Sequence, residues 1–391
     1  MTPTELPPSM RFIDLVLRNV VRRKTRSALT GMGVAVAVAT VVTLLGVATG
    51  LQRSAADAYR RHGVDLMVVR IGTAQRGGGS LEAKLAGRLL ELPGVADVTP
   101  SLTDVVSLGK GVMGVPVHGW PAGSRVLAGL SISKGRSLES GDQGHVLLGG
   151  ILAHNLNKRV GDTLEIELEP FQVVGVFESS NVLESGSAVV LLDDLQKLMD
   201  RQGQVSEFLV ALDSNQARDR AATDRLRGQM TELRDDQGQA MGLAAMPTEE
   251  YADRSFEVRM ARAMAWATSS IALVIGCVGM LNTMVMSVLE RTQEIGVLRA
   301  IGWRRSRIVR LVLSESCALS LAGAALGSLG AMALMRVLAR LPETQGTVRG
   351  DTPPSVVAIG FLAALVLGLA GGLFPAMRGA NLRPTEALRY E

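Results

Sequence analysis

Four long stretches without a charged residue limit the folds that are open to this chain. They are Ser27–Gln52, Ala263–Leu289, Ser316–Met335 and Thr352–Met377. About 20 consecutive apolar residues form a helix long enough to cross the hydrocarbon core of a bilayer. We therefore predict an integral membrane α-helical protein with four transmembrane helices, which we place at residues 27–52, 263–289, 311–338 and 353–377.

Basic residues beside these stretches predict the orientation. Residues 1–26 contain five arginines and one lysine, and residues 290–310 contain six arginines, whereas the loop at residues 339–352 has only Arg340 and Arg349. Because short cytoplasmic segments are enriched in lysine and arginine, we expect a multi-pass protein of the plasma (inner) membrane with both termini in the cytoplasm. The same rule places residues 53–262 on the extracytoplasmic side of the membrane. The net charge of +4 comes largely from these flanks and indicates topology rather than nucleic-acid binding.

A charged segment at residues 290–315 separates the second and third stretches. Its apolar residues Ile295, Leu298 and Ile301 follow helical spacing, and Gly302 predicts a break after them. A helix of two or three turns is too short to be stable alone in water. It must therefore pack against a support, either the membrane face or a soluble partner.

The block ERTQEIGVLRAIG at residues 290–302 resembles the cytoplasmic loop of the FtsX/MacB-type ABC transporter permeases, a LolC/LolE-related family. The resemblance implies a short coupling helix that docks onto the ATPase subunit. Trp303 departs from the family pattern, which often has a small residue there. A basic loop that only sets the topology is the alternative. The predicted coupling residues are Glu290, Arg291, Glu294, Ile295, Gly296, Leu298, Arg299, Ala300 and Gly302.

Both ends of the chain extend the resemblance. Residues 1–26 form a predicted amphipathic elbow helix in the membrane interface, and residues 378–391 form a cytoplasmic tail that ends PTEALRYE, as in the family. The elbow motif of the family is matched at Arg18, Asn19, Arg22, Arg23, Lys24 and Arg26.

The pattern of short apolar runs and turn residues in residues 53–262 predicts a large α+β domain between the first and second spans. Two β-α-β units flank a β-rich segment at about residues 104–192. The resemblance implies a MacB-like periplasmic core domain, with a ferredoxin-like porter part and an inserted β-rich sabre-like part. We expect strands at Val64–Arg70, Val95–Pro100, Val146–Leu148, Leu164–Leu168, Phe171–Val176, Ala188–Leu192, Glu207–Leu212 and Ala240–Met246. We expect helices at Ser80–Leu92 and Asn215–Leu233, and a short helix that is capped by Asp193.

Two helical stalks should join this domain to the spans. One is Leu51–His62, which follows the first span. The other is Thr248–Arg262, which has no proline and should continue into the second span as one helix.

Motifs for catalysis are absent from the sequence. There is no phosphate-binding loop ending in GK[ST], no HExxH and no GxSxG, and the four histidines lack metal-ligand spacing. We therefore predict no enzyme activity, no metal and no cofactor bound by this chain, with ATP-Mg held by a partner ATPase.

Polar and small residues within the spans predict helix packing. Asn282 and Thr283 favour helix association over a substrate path, and Glu315 should pair with an arginine of the charged segment. The small residues that suit close packing are Gly323, Gly327, Gly330, Ala331, Gly368, Gly371 and Gly372.

The resemblance implies a permease subunit that works by mechanotransmission. Its partners would be two copies of a separate ABC ATPase, a second permease that is identical or related, and membrane lipid, without nucleic acid. The cargo stays open, as does the presence of a periplasmic adaptor or a lipoprotein chaperone. The alternative is an FtsX-like signalling scaffold that activates cell-wall hydrolases without transport, although the large outer domain favours the transporter.

Overall fold

The computed structural model describes residues 24–71, 80–109, 112–179, 181–235, 237–340 and 351–381. The chain divides into two compact units. Of the described residues, the membrane unit holds 24–48, 262–340 and 351–381, and the outer unit holds those within 49–261. The predicted elbow motif, most of the outer loop with Arg349, and the PTEALRYE ending lie outside the described residues.

The elements are numbered in chain order. The strands are β1 (Leu66–Arg70), β2 (Leu81–Glu82), β3 (Val95–Leu108), β4 (Val112–Trp120), β5 (Ser131–Gly135), β6 (His145–Gly149), β7 (Thr163–Ile166), β8 (Glu169–Glu178), β9 (Ala188–Leu191), β10 (Gln204–Val205), β11 (Glu207–Leu212) and β12 (Leu243–Pro247). The helices are α1 (Lys24–Arg61), α2 (Leu85–Leu90), α3 (Arg125–Ala128), α4 (Gly150–Leu156), α5 (Val182–Ser185), α6 (Leu192–Leu198), α7 (Ser214–Arg218), α8 (Arg220–Thr231), α9 (Thr248–Arg254), α10 (Phe256–Glu290), α11 (Thr292–Ala300), α12 (Arg305–Leu338) and α13 (Pro354–Ala380).

The part of the outer unit that contains β1, β3, β11 and β12 is a ferredoxin-like sheet. Its strands lie in the order β12-β1-β11-β3, and each neighbouring pair is antiparallel. Helix α2 lies between β1 and β3 along the chain, and α8 lies between β11 and β12, which is the β-α-β-β-α-β arrangement. Every residue of β11 is buried, as expected for a strand in the middle of a sheet. This part corresponds to the expected porter part.

The inserted β-rich part continues the same sheet through β3. Residues 95–101 of β3 pair with β11, and residues 102–108 pair mainly with β4. Beyond β4 the order is β9-β6-β8-β5, and β7 pairs with both β3 and β8. The boundary expected near residue 104 therefore falls inside a strand that the two parts share.

Several predicted elements of the outer unit have different limits. The strand expected to reach Leu168 ends at Ile166, because Glu167 and Leu168 have positive φ angles and form the turn into β8. The helix expected from Asn215 is interrupted at Asp219, whose carboxylate accepts hydrogen bonds from the amides of Ala221 and Ala222 at 2.9 and 3.3 Å.

Two further helix starts also differ from the prediction. Residues 81–82, which follow Ser80, pair with β10, so the helix begins only at Leu85. Helix α6 begins at Leu192, one residue before the predicted cap, and Asp193 lies in its first turn.

The second stalk is not continuous with its span. Ser255 has φ −59° and ψ 145°, which takes the backbone out of the helix between α9 and α10. Its carbonyl accepts a hydrogen bond from the amide of Arg259 at 3.1 Å, and its hydroxyl donates to the carbonyl of Ala252 at 2.9 Å. Serine is well suited to begin a helix in this way. The first stalk does continue its span, since α1 runs without a break to Arg61.

The described part of the chain has four helices that are long and apolar enough to span a membrane, namely α1, α10, α12 and α13. Small residues let them approach closely. A Cβ atom at Gly327 would lie 2.3 Å from the carbonyl oxygen of Ala35, and one at Gly323 would lie 2.8 Å from that of Gly31. Helix α12 therefore packs against the backbone of α1. The prediction for Gly330 was wrong, because a Cβ there would meet no atom within 4 Å.

On α13 the three predicted glycines also lie at close approaches within the membrane unit. A Cβ at Gly368 or Gly372 would lie 2.4 or 2.3 Å from a serine hydroxyl of α12, and one at Gly371 would lie 2.8 Å from Met280 of α10. Helices α10, α12 and α13 are thus held together at positions where a larger side chain does not fit.

Candidate functional site

The segment with the family-like motif forms a short helix, α11, between two spanning helices. It begins at Thr292, directly after α10, and ends before Gly302, which has φ +101°. The amide of Gly302 donates to the carbonyl of Arg299, and the amide of Trp303 donates to that of Leu298, both at 3.1 Å. These two bonds form a Schellman motif, which favours glycine at the position with positive φ. The predicted break is present for this reason.

One face of α11 packs on the ends of the spanning helices. Ile295 is buried in a cluster that includes Val288 of α10 and Ile308 of α12, and Leu298 and Trp303 pack against its edge. The neighbouring Gly296 is also buried. The support that such a short helix requires is therefore the membrane unit of the same chain.

A buried ion pair connects the start of α11 to α12. Nη1 of Arg291 lies 2.9 Å from Oε2 of Glu315, and the two side chains are 13% and 9% exposed. Arg291 is the residue that precedes α11, and Glu315 lies three turns into α12. The predicted pair between Glu315 and an arginine of the charged segment is thus present, and the partner is Arg291.

Trp303 and two arginines close the other end of α11. Nη1 of Arg299 donates to the carbonyl of Trp303 at 3.1 Å. The guanidinium carbon of Arg307 lies 4.7 Å from the centre of the Trp303 ring, a distance at which a cation is attracted to the aromatic face. Trp303, which departs from the family pattern, is therefore contacted by two arginines of the same charged segment.

The opposite face of α11 is open. We define the coupling face as Glu294, Val297, Ala300 and Ile301, all of which are exposed. Val297 is 44% exposed and Ile301 is 72% exposed, so two apolar side chains project away from the membrane unit. Sequence reasoning placed Ile301 with Ile295 and Leu298 and did not single out Val297. The signal for Val297 was its spacing, three residues after Glu294 and four before Ile301.

The remaining predicted residues lie around this surface or apart from it. Glu290, the last residue of α10, is exposed, as is Gly302. Asn282 is exposed on α10, and the hydroxyl of Thr283 donates to the carbonyl of Gly279 in the same helix at 2.9 Å. These observations show no bond from either side chain to another helix, so the role of Asn282 and Thr283 in helix association stays a prediction. Exposed arginines extend that face along the start of α12, at positions 304, 305, 307 and 310.

The arrangement places apolar and charged side chains next to each other on one exposed surface. Within the described ranges, no group of three or more His, Cys, Asp or Glu residues could hold a metal ion. What the surface provides is a carboxylate beside two exposed apolar side chains and a row of arginines. This is the mixture of apolar and charged groups from which protein interfaces are made.

Comparisons with known proteins identify the same two parts of the chain. The family model of the MacB-like periplasmic core domain matches residues 27–228, and that of the FtsX-like permease C-terminal matches residues 266–384. The macrolide export ATP-binding/permease protein MacB of Brucella melitensis is 28% identical, and the match covers 97% of this chain and 60% of that protein. The chain thus spans about 60% of the length of such relatives.

A second relative has nearly the same length as this chain. The uncharacterized ABC transporter permease MJ1507 of Methanocaldococcus jannaschii is 25% identical, and the match covers 98% of this chain and 99% of that protein. Among solved structures, the periplasmic region of MacB from Actinobacillus actinomycetemcomitans matches with a TM-score of 0.38 and 17% identity, over 49% of this chain and 92% of that one. Because the two family models together extend from residue 27 to residue 384, the chain belongs to the family of ABC transporter permeases that combine a MacB-like periplasmic core domain with an FtsX-like permease domain.

Proposed function

We propose that this chain is the permease subunit of an ABC exporter whose ATP hydrolysis takes place on a separate ATPase subunit. The sequence of this chain contains no phosphate-binding loop, and a relative of matching length is described as a permease. Two permeases, identical or related, would pair above two ATPases with bound ATP-Mg.

The observation that carries the proposal is that α11 packs on one side and is exposed on the other. One side is fixed to the membrane unit by the Ile295 cluster and by the ion pair between Arg291 and Glu315. The other side, the coupling face, is exposed and includes the carboxylate of Glu294. A helix held in this way passes a displacement of its partner directly to the spanning helices, because close-packed side chains do not absorb it.

The contacts of Ile295 and Arg291 define the route of that displacement. A Cβ at Gly379 of α13 would lie 3.6 Å from Cδ1 of Ile295, so α11 lies against the end of the fourth span. Arg291 connects α11 to the third span through Glu315. Closure of the ATPase dimer would push on the coupling face and move both spans. Cargo would then be exported or extracted on the outer side by mechanotransmission, with both termini and the coupling face in the cytoplasm.

A charge reversal at Glu294 tests the coupling. Since Glu294 is exposed, Glu294→Arg should leave the fold intact, and loss of a desolvated charge pair at the interface would weaken ATPase binding by about 2–5 kcal/mol. The measurements are co-purification of the ATPase from membranes and the ATP hydrolysis of the assembled complex. The matched control is Glu91→Arg, an exposed reversal in the outer unit that should change neither quantity.

Two outcomes would contradict the proposal. A Glu294→Arg variant that retains and stimulates the ATPase as the wild type does would show that the segment only anchors the topology. A reporter fused near Gly141 and another near Trp303 that are found on the same side of the membrane would exclude the proposed orientation.

A further inference from the structure

The outer unit encloses a cavity of about 480 Å³ that the coupling mechanism does not use. Its wall is formed by the last turns of α1, the middle of β3 and β4, helix α5 with its cap, and the residues around the break between α9 and α10. The volume lies within the range of small-molecule sites in proteins, about 300–1,000 Å³. The cavity is therefore large enough to hold an organic molecule.

Aromatic rings of the wall are fixed in place by their neighbours. The rings of Tyr59 and Tyr251 meet edge to face with their centroids 5.9 Å apart, and His118 stacks on Trp120 at 5.5 Å. The indole nitrogen of Trp120 donates to the hydroxyl of Ser101 at 3.1 Å. A site whose aromatic side chains are already ordered loses little conformational entropy when a ligand binds.

A buried carboxylate, Glu207, holds this wall together. It accepts hydrogen bonds from the hydroxyls of Tyr251, of Thr103 at 3.1 Å and of Ser101 at 3.3 Å. Burial raises the pKa of Glu207, and these three hydrogen bonds act against that rise. Because Thr103 donates to Glu207, its oxygen can accept the proton on Nδ1 of His118, which lies 3.0 Å away.

The charges on the wall are predominantly negative. Asp104, Glu184 and Glu257 line the cavity, and neighbouring basic groups offset only part of their negative charge. Asp104 lies 3.5 Å from Arg201, and Glu184 lies 2.5 Å from Nε2 of His62. Within the described ranges the exposed Glu257 has no ion pair.

The two histidines of the wall do not reverse this balance. Burial would raise the pKa of Glu184, but hydrogen bonds from His62 and Ser179 outweigh burial and lower it, so this carboxylate is ionised at neutral pH. Burial lowers the pKa of His118 to about 4, so its ring is uncharged at the same pH. Of the three carboxylates, His62 contacts Glu184 alone.

We propose that this cavity binds an organic cation with an aromatic or apolar body, such as a quaternary or protonated amine. Aromatic faces attract such cations, and carboxylates at the wall exclude anions of the same shape. The proposal goes beyond the proposed export function, because binding requires only the outer unit and no ATPase.

The test uses the purified full chain and two small probes of matched shape. Benzyltrimethylammonium carries a positive charge and phenylmethanesulfonate a negative one on the same benzyl group. Isothermal titration calorimetry in detergent solution should detect binding of the cation and at least tenfold weaker binding of the anion. A failure of the cation to bind, or equal binding of both probes, would overturn the proposal.

Two variants locate the bound cation. Tyr59→Leu removes an aromatic face, and Glu257→Gln removes a charge at an exposed position where folding is not at risk. Each should weaken binding of benzyltrimethylammonium by about threefold to tenfold. The matched control is Glu232→Gln, which changes an exposed carboxylate that does not line the cavity and should leave the affinity unchanged. If Glu257→Gln binds the cation as the wild type does, or if the control weakens binding equally, the cavity is not the site.

Discussion

The ion pair between Arg291 and Glu315 allows a quantitative test of how α11 is held on the membrane unit. At 2.9 Å, two unit charges attract by about 6 kcal/mol for an effective dielectric constant near 20, before the cost of removing both from water. Their side chains are only 13% and 9% exposed, so that cost is large for each. Removal of one partner leaves the other buried and unpaired, which typically costs about 3–5 kcal/mol.

A double-mutant cycle separates the pair from the other contacts of each residue. The variants are Arg291→Met, Glu315→Gln and the double replacement. We expect each single variant to lose about 3 kcal/mol, and the double variant to lose clearly less than the sum, with a coupling energy of about 2 kcal/mol. The assay is unfolding of the membrane unit in detergent by titration with sodium dodecyl sulfate.

Arg310→Met provides the control for this cycle, because it removes an exposed arginine from the same segment. It should change the free energy of unfolding by no more than about 0.5 kcal/mol. A coupling energy between Arg291 and Glu315 below about 0.5 kcal/mol is the size expected of an exposed pair, and it would refute the conclusion that this pair holds α11.

Two other features of the structure can be tested by single substitutions. Gly327→Leu should drive α12 away from the carbonyl of Ala35 and lower the yield of folded protein, whereas Gly330→Leu should be tolerated; equal effects of the two would contradict the packing. In the outer unit, His118 has a pKa of about 4 because of burial, against about 6.5 when unfolded. As the pH falls from 7 to 5, the unfolded chain therefore gains a proton that the folded chain does not, which costs about 2 kcal/mol of stability. His118→Asn, which can still donate to Thr103, should reduce the drop in melting temperature between pH 7 and pH 5, and an unchanged drop would exclude this role.

The transmembrane helices and the ferredoxin-like part of the outer unit could be predicted from the sequence because both have strong local signals. Four charge-free stretches of membrane length have few other structural solutions. The strands of the ferredoxin-like part contain continuous apolar runs, such as residues 66–69 and 208–212. The two helix breaks were missed for the opposite reason. Ser255 and Asp219 end one helix and begin another with side chains that a helix interior also tolerates, so neither proline nor glycine marks the place.

The orientation of α11 could not be obtained from periodicity. Its nine residues carry apolar side chains on two faces, with Ile295 and Leu298 on one and Val297 on the other, beside Ile301 at the cap. Helical spacing identifies such faces without saying which one packs on the spans. That choice depends on tertiary contacts with the ends of α10, α12 and α13, which the spacing of residues within α11 does not report.

The turn after β7 lacked a sequence signal for a similar reason. Glu167 and Leu168 adopt positive φ angles that are usually left to glycine or asparagine. They are held there by the pairing of β7 with β8 on either side. The residues themselves do not favour a turn, so the apolar Leu168 looked like the end of a strand.

Strand β3 has a mechanical consequence for the outer unit. Its 14 residues extend for about 46 Å, and its two halves belong to the two different parts of the domain. A bend where the halves meet, at residues 101–102, would leave both ladders intact but would break hydrogen bonds that cross this point. These are the bond from the amide of Thr103 to the hydroxyl of Ser206 and the bond from the indole of Trp120 to the hydroxyl of Ser101, both at 3.1 Å. The two parts are therefore joined by one continuous strand and by hydrogen bonds that oppose bending at the junction. A force applied to one part would reach the other through this strand, so we expect the domain to move as one body.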